Sequence, residues 1–117
     1  KKYTSKTLTD FTYGESLYDA VIIGALAAVA AKDASGVGIK SQLTEISKAG
    51  AGKVTVSTFA AGVKALKAGK KINYDGKTGA IEFDKNGDPT GAYIGIYRYS
   101  AAGTFKLVKT VLGSSVK

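Results

Sequence analysis

The chain has 117 residues, enough for one hydrophobic core, and its 44% hydrophobic and 22% charged content is that of a folded protein. It lacks cysteine, histidine, methionine and tryptophan, which excludes disulfides, thiolate nucleophiles, imidazole bases and every Cys/His metal site. Its net charge of +8 rests on 17 basic residues scattered along the chain, only one of them an arginine, Arg98, and this pattern solubilises before it reads bases.

Residues 1–11 have no periodicity and read as an arm or an incoming strand. Thr12 and Glu15 have the spacing of a capping box, so a first helix is expected over residues 14–32. Leu17, Val21, Gly24, Ala25 and Ala28 lie along one side of it, and Ile22, Leu26 and Val29 widen the stripe. Such a helix is apolar nearly all round and needs cover on more than one face. Its longest apolar run, Ala20 to Ala31, is too short to span a bilayer. Asp33 to Gly36 is a break, after which Val37, Ile39, Leu43 and Ile46 predict a second helix over residues 37–48. Val54-Thr55-Val56 is a short extended piece. Ser57 or Thr58 caps a third helix over residues 57–68, with Phe59, Val63 and Leu66 as its buried line and Gly69 as its stop. Turn signals follow at Asp75-Gly76, Thr78-Gly79 and Asn86-Gly87, with one short strand expected over Ala80 to Phe83. From Gly91 the period is two: Tyr93, Tyr97 and Tyr99 face one way and Ile94, Ile96 and Arg98 the other. A turn at Ala101-Ala102-Gly103 leads into a second strand carrying Phe105, Leu107 and Val111.

Four patterns invite a chemical reading. Gly50 and Gly52 before Lys53 imitate a phosphate loop, but Ser47 and Val54 occupy the positions that need glycine and a hydroxyl. Asp84, Asn86 and Asp88 have the opening spacing of a calcium loop, yet Pro89 and Gly95 stand where its glycine and closing glutamate belong, so a polar turn is expected. Asp10, Glu15 and Asp19 cluster at the start of the first helix, where its dipole explains them. The tyrosine ladder is either a stacking platform for bases or one face of a half-buried sheet. No catalytic residue, metal site or cofactor is expected.

Two stretches together carry a resemblance. One is Leu17-Tyr18-Asp19-Ala20-Val21, opening the alanine-rich helix. The other runs from Ile72-Asn73-Tyr74-Asp75-Gly76 through Thr78-Gly79-Ala80-Ile81-Glu82-Phe83-Asp84 and Asn86-Gly87-Asp88 to Ala92-Tyr93-Ile94-Gly95-Ile96-Tyr97. The order resembles the C-terminal part of the periplasmic branched-chain amino-acid-binding proteins, the type I solute-binding components of ABC transporters. It extends from Tyr13 to Val111 and corresponds to about the last third of such a protein.

The resemblance implies an α/β chain that is a C-terminal fragment of a two-lobed, Venus-flytrap, periplasmic-binding-protein-like fold. Residues 1–89 would complete the first lobe, and residues 90–117 would make the last hinge crossing and a strand hairpin of the second. It also implies a periplasmic or extracellular, cell-surface-associated protein without enzymatic activity. Such a protein binds a small polar solute, such as a branched-chain or other amino acid or an amide, and delivers it to a membrane permease. Tyr13 stands where that family has an aromatic residue lining the cleft. The lysine content departs from the acidic balance of the family and leaves the ligand class open. A residue 1 that is not methionine agrees with a fragment, one that needs the remaining segments of its parent, or self-association, to cover its first helix. The rival reading is an independent basic α+β module that binds nucleic acid; a ligand-sensing receptor domain of the same fold is a further alternative.

Overall fold

The computed structural model describes residues 12–91 and 93–113. The arm expected over residues 1–11 lies outside them. The chain is a mixed helix and strand structure: α1 (Gly14–Ala31), α2 (Gly36–Ser47), β1 (Val54–Val56), α3 (Phe59–Lys67), β2 (Ile72–Gly76), β3 (Gly79–Ala80), β4 (Tyr93–Tyr99) and β5 (Phe105–Leu112). β1, α3 and β2 form a βαβ unit, with Val54 opposite Ile72 and Val56 opposite Tyr74 in parallel register. β3 adds antiparallel to the far end of β2, pairing Asp75 with Ala80 and Gly76 with Gly79.

The helix ends follow local chemistry, with one correction. The Thr12–Glu15 capping box does not form. Tyr13 is the N-cap of α1, in left-handed backbone at φ 60°, and no side chain closes it. Glu15 therefore sits at the second helical position, one short of where a capping box needs it. At α2 the Ser35 hydroxyl accepts from Gly38 N at 3.1 Å, and at α3 the Thr58 hydroxyl accepts from Ala61 N at 3.3 Å. Gly69, at φ 72°, turns the chain out of α3 as only glycine does cheaply.

The core joins Ile23, Leu26 and Ala27 of α1 to Ile46, Val56, Ala65, Ile72 and Tyr74. The expected stripe on α1 is rotated: Leu17 and Val21 are 68% and 62% exposed, and Asp19, Ile23, Leu26 and Ala27 point inward. A helix apolar on every side has no face chosen by hydrophobicity alone, so a polar anchor chooses it. The apolar run was expected to be too short to span a bilayer, but the 18-residue α1 is long and apolar enough by length and composition; 22% of it is buried, and its inward face packs on α2 and α3. Of the residues expected to be buried on α3, Val63 and Leu66 pack half-buried against the core and Phe59 is exposed, while the buried line is centred on Gly62 and Ala65. The cause is Leu26, whose methyls occupy the space beside the Gly62 backbone.

Asp75-Gly76, expected as a turn, are instead the last two residues of β2, and the turn lies at Lys77-Thr78. The expected strand over Ala80 to Phe83 is reduced to β3 and a single bridge between Phe83 and Pro89. β4 and β5 form the predicted hairpin, from Tyr93 opposite Leu112 to Tyr99 opposite Phe105. Ile96 faces Lys109 while Tyr97 faces Leu107, so Val108 is an extra residue, a β-bulge. The hairpin packs chiefly on itself. The radius of gyration is accordingly 17.3 Å, against about 13–14 Å for a compact chain of this length.

Two glycines report the packing in opposite directions. At Gly62 an added methyl would lie 2.5 Å from Leu26 Cδ2, so Gly62→Ala is expected to cost about 1–3 kcal/mol despite the better helix propensity. At Gly24 the methyl meets nothing within 4 Å, so Gly24→Ala is expected to stabilise by about 0.5–1 kcal/mol. Urea unfolding of the two variants should move the midpoint in opposite directions.

Candidate functional site

The carboxylate of Asp19 is 1% exposed and has four donors. Tyr74 Oη donates to one oxygen at 2.8 Å and Lys77 N to the same oxygen at 2.9 Å. Thr78 N and Thr78 Oγ1 donate to the other at 2.8 and 2.7 Å. These bonds join the second turn of α1 to β2 and to the β2–β3 turn. Gly76 makes room for them, since a methyl there would collide with the Asp19 carboxylate. The helix dipole was the expected reason for this carboxylate; the structure replaces it with a tertiary one. Burial raises the Asp19 pKa, but the Lys77 and Thr78 amides and the two hydroxyls outweigh it and hold the carboxyl below its usual 3.8. Tyr74 moves the other way. Burial first, then its hydrogen bond to Asp19 and the Asp19 charge, push the phenol far above its usual 10.0.

Over this anchor lies a groove of about 540 Å³, at the carboxyl end of β2. It is lined by the N-cap residue Tyr13 with Ser16 and Ala20 of α1, by Thr78, Ile81 and Phe83, and on a third side by Pro89, Gly91 and Tyr93. Tyr13 is therefore at the groove, 81% exposed on its rim. Its left-handed backbone is a strained conformation of about 1–3 kcal/mol for a residue with a side chain, a kind of strain that clusters at binding sites. The third side is held by its own loop: Thr90 N donates to Glu82 O at 2.8 Å and Asp84 N to Asp88 O at 2.9 Å. Thr78 and Tyr93 belong to the groove without having been singled out as site residues. Their signal was the turn at one and the start of the period-two pattern at the other, neither of which names a ligand.

The remaining patterns have structural explanations. The Asp84 carboxylate accepts from Asn86 N at 2.8 Å and Asp88 N at 2.9 Å, so the calcium-like spacing is a polar turn. The Gly50–Lys53 segment leads into a strand rather than a helix, and the Lys53 ammonium donates to the backbone carbonyls of Glu45 and Lys48, so no phosphate cradle forms. Tyr97 and Tyr99 share a hairpin face with Phe105, at ring-centroid distances of 5.5 and 5.8 Å, and all three rings are exposed, so the ladder is not the half-buried sheet face expected as one reading. Arg98 pairs with Lys106 and Ile96 with Lys109 on the opposite face. The cations thus do not interleave with the rings as a base-stacking platform requires. Asp10 lies outside the described residues. Among the described residues no cluster of acidic side chains could hold a metal ion.

Asp19→Asn keeps the shape but removes the charge that four donors converge on, and is expected to destabilise by about 2–4 kcal/mol. The pH dependence has a definite sign. The folded pKa lies below the unfolded value of about 3.9, so the stabilisation is complete above that value and is lost as pH falls through the folded pKa. Unfolding followed from neutral to acid pH should show this loss in the parent chain and a flatter acid limb in Asp19→Asn.

Neither curated proteins nor solved structures provide a match to the chain. A family match does exist: residues 1–99 match the receptor family ligand binding region, which has the type I periplasmic-binding fold. That span holds α1, the βαβ unit, the Asp19 anchor, the whole described groove and β4. With 99 of its 117 residues matched, the chain belongs to this family of ligand-binding regions.

Proposed function

We propose that the groove is one wall of a solute-binding cleft, and that the chain serves an extracytoplasmic solute-binding component of an ABC transporter. The observation that carries this reading is the position of the groove. It opens beyond the carboxyl end of β2, where α/β sheets hold their ligands. Residues 1–89 then belong to the first lobe and residues 90–117 cross to the second, an assignment supported by a hairpin that packs chiefly on itself. Tyr13 on the near side and Tyr93 just past the crossing both line the groove, so a ligand between them would touch both lobes.

The lining favours a small polar solute, such as a branched-chain or other amino acid or an amide. Ser16 and the two tyrosines offer hydroxyls, which suit ammonium and amide groups, while Ala20, Ile81 and Phe83 offer apolar contact. The family description favours a second reading, a ligand-sensing receptor domain. Both readings use the same groove and differ in the partner, a membrane permease for one and a signalling segment for the other. Either places the protein in the periplasm or outside the cell.

Nuclear magnetic resonance titration of the chain with leucine tests the groove. The expected shifts centre on Tyr13, Ser16, Thr78 and Tyr93, with affinity no tighter than the order of millimolar, since one wall provides only part of the contacts a closed cleft gives. Tyr13→Ala should abolish them with little change in stability, as that side chain is exposed. Shifts confined to the hairpin, or none with any amino acid or amide, would overturn the proposal.

A further inference from the structure

A second cavity, of about 370 Å³, opens at the opposite end of the sheet, where β1 and β2 begin. Ile46, Leu66 and Ile72 provide an apolar floor, and Lys32, Lys53, Lys70 and Lys71 surround it. The one acid in its lining is Glu45, 3.5 Å from the Lys53 ammonium. The Lys53 side chain is 10% exposed and its ammonium also donates to the Glu45 and Lys48 carbonyls, so Lys53 is committed to the end of α2. Lys32, Lys70 and Lys71 are exposed, and among the described residues none of them has a carboxylate within ion-pairing distance.

Helix ends explain part of this charge. α1 and α3 both finish near the cavity, and carbonyl ends attract cations. Lys32, the C-cap of α1, fits that role. At α3, however, Lys64 and Lys67 already stand in the last turn, while Lys70 and Lys71 follow the terminating Gly69 and approach the cavity from the start of β2. Three cations around an apolar floor repel one another and gain from an anion that also covers the floor. Ammonium groups on flexible stems suit a phosphate or carboxylate as point charges.

We propose that this cavity binds a small amphiphilic anion, with an aliphatic or aromatic body over Ile46, Leu66 and Ile72 and a phosphate or carboxylate head among Lys32, Lys70 and Lys71. The site is independent of the groove and of any function assigned to it.

The test is amide-shift titration of the full chain with octyl phosphate below its micellar concentration. Saturable shifts at Lys32, Leu66, Lys71 and Ile72 are expected. Lys70→Glu with Lys71→Glu should weaken binding at least about tenfold, the scale of lost charge-assisted contacts. Lys106→Glu with Lys109→Glu makes the same charge change on the hairpin and should alter the affinity less than about twofold, because exposed charges at a distance are screened. Equal weakening by both pairs would reduce the effect to net charge and overturn the proposal. Octanol with the same affinity would show that the head is not recognised, and inorganic phosphate with the same affinity would show that the floor is not used; either result overturns it. Phosphatidylglycerol vesicles that capture the chain through the same lysines, without octyl phosphate binding in solution, would identify a membrane-facing surface and overturn it as well.

Discussion

One buried carboxylate sets the orientation of the first helix and, through it, of most of what surrounds the groove. An ionised group out of water costs several kcal/mol unless its oxygens are answered, and Asp19 is answered by two amides and two hydroxyls. Those donors come from β2 and the turn after it, so the helix can satisfy them at only one rotation and one height. That rotation leaves Leu17 and Val21 outside although both are good core residues. It also sets Tyr13, less than two turns earlier, on the rim of the groove. Hydrophobicity stabilises α1 in the fold, and the hydrogen bonds of Asp19 specify how it sits.

The sheet has two chemically different ends. At the carboxyl end of β2 the groove is lined by hydroxyls, apolar carbon and two acidic residues, Asp19 and Glu82, whose carboxylates accept hydrogen bonds within the fold, and its loop is closed by its own backbone hydrogen bonds. At the amino end the lysines gather around a cavity floored by buried and half-buried core residues. A net charge of +8 is therefore not evenly expressed around the two cavities. An anionic molecule and a neutral or cationic one would approach opposite ends, because local fields over a few ångströms act before screening removes them.

α2 and α3 were legible because each has its own local punctuation: Thr58 and Gly69 for α3, and the Asp33–Gly36 break for α2, whereas the capping box read for α1 is not what starts it. The hairpin was legible from its period of two. β2 was not, because Asp75-Gly76 has the composition of a turn and the parallel partner that makes it a strand lies about twenty residues earlier, at β1. The rotation of α1 was not legible because every face of it is apolar. The partners of Asp19 could not be inferred either, since Lys77 and Thr78 contribute backbone amides, which leave no mark on composition. Tyr13 came from the family resemblance alone; Thr78 and Tyr93 needed the fold.

The self-contained hairpin has a consequence for cooperativity. Its ladder closes without help from the core, and two-stranded ribbons on their own are marginal in water. β4 and β5 thus form a unit that can open and re-form while α1, α2 and the βαβ unit stay intact. Amide protons along Tyr93–Tyr99 would then exchange with solvent at the rate of this local event, ahead of those in the core. Whatever docks on the hairpin would lower that rate, and a molecule that touched both the hairpin and the core would join the ribbon to the cooperative unit of the rest of the chain.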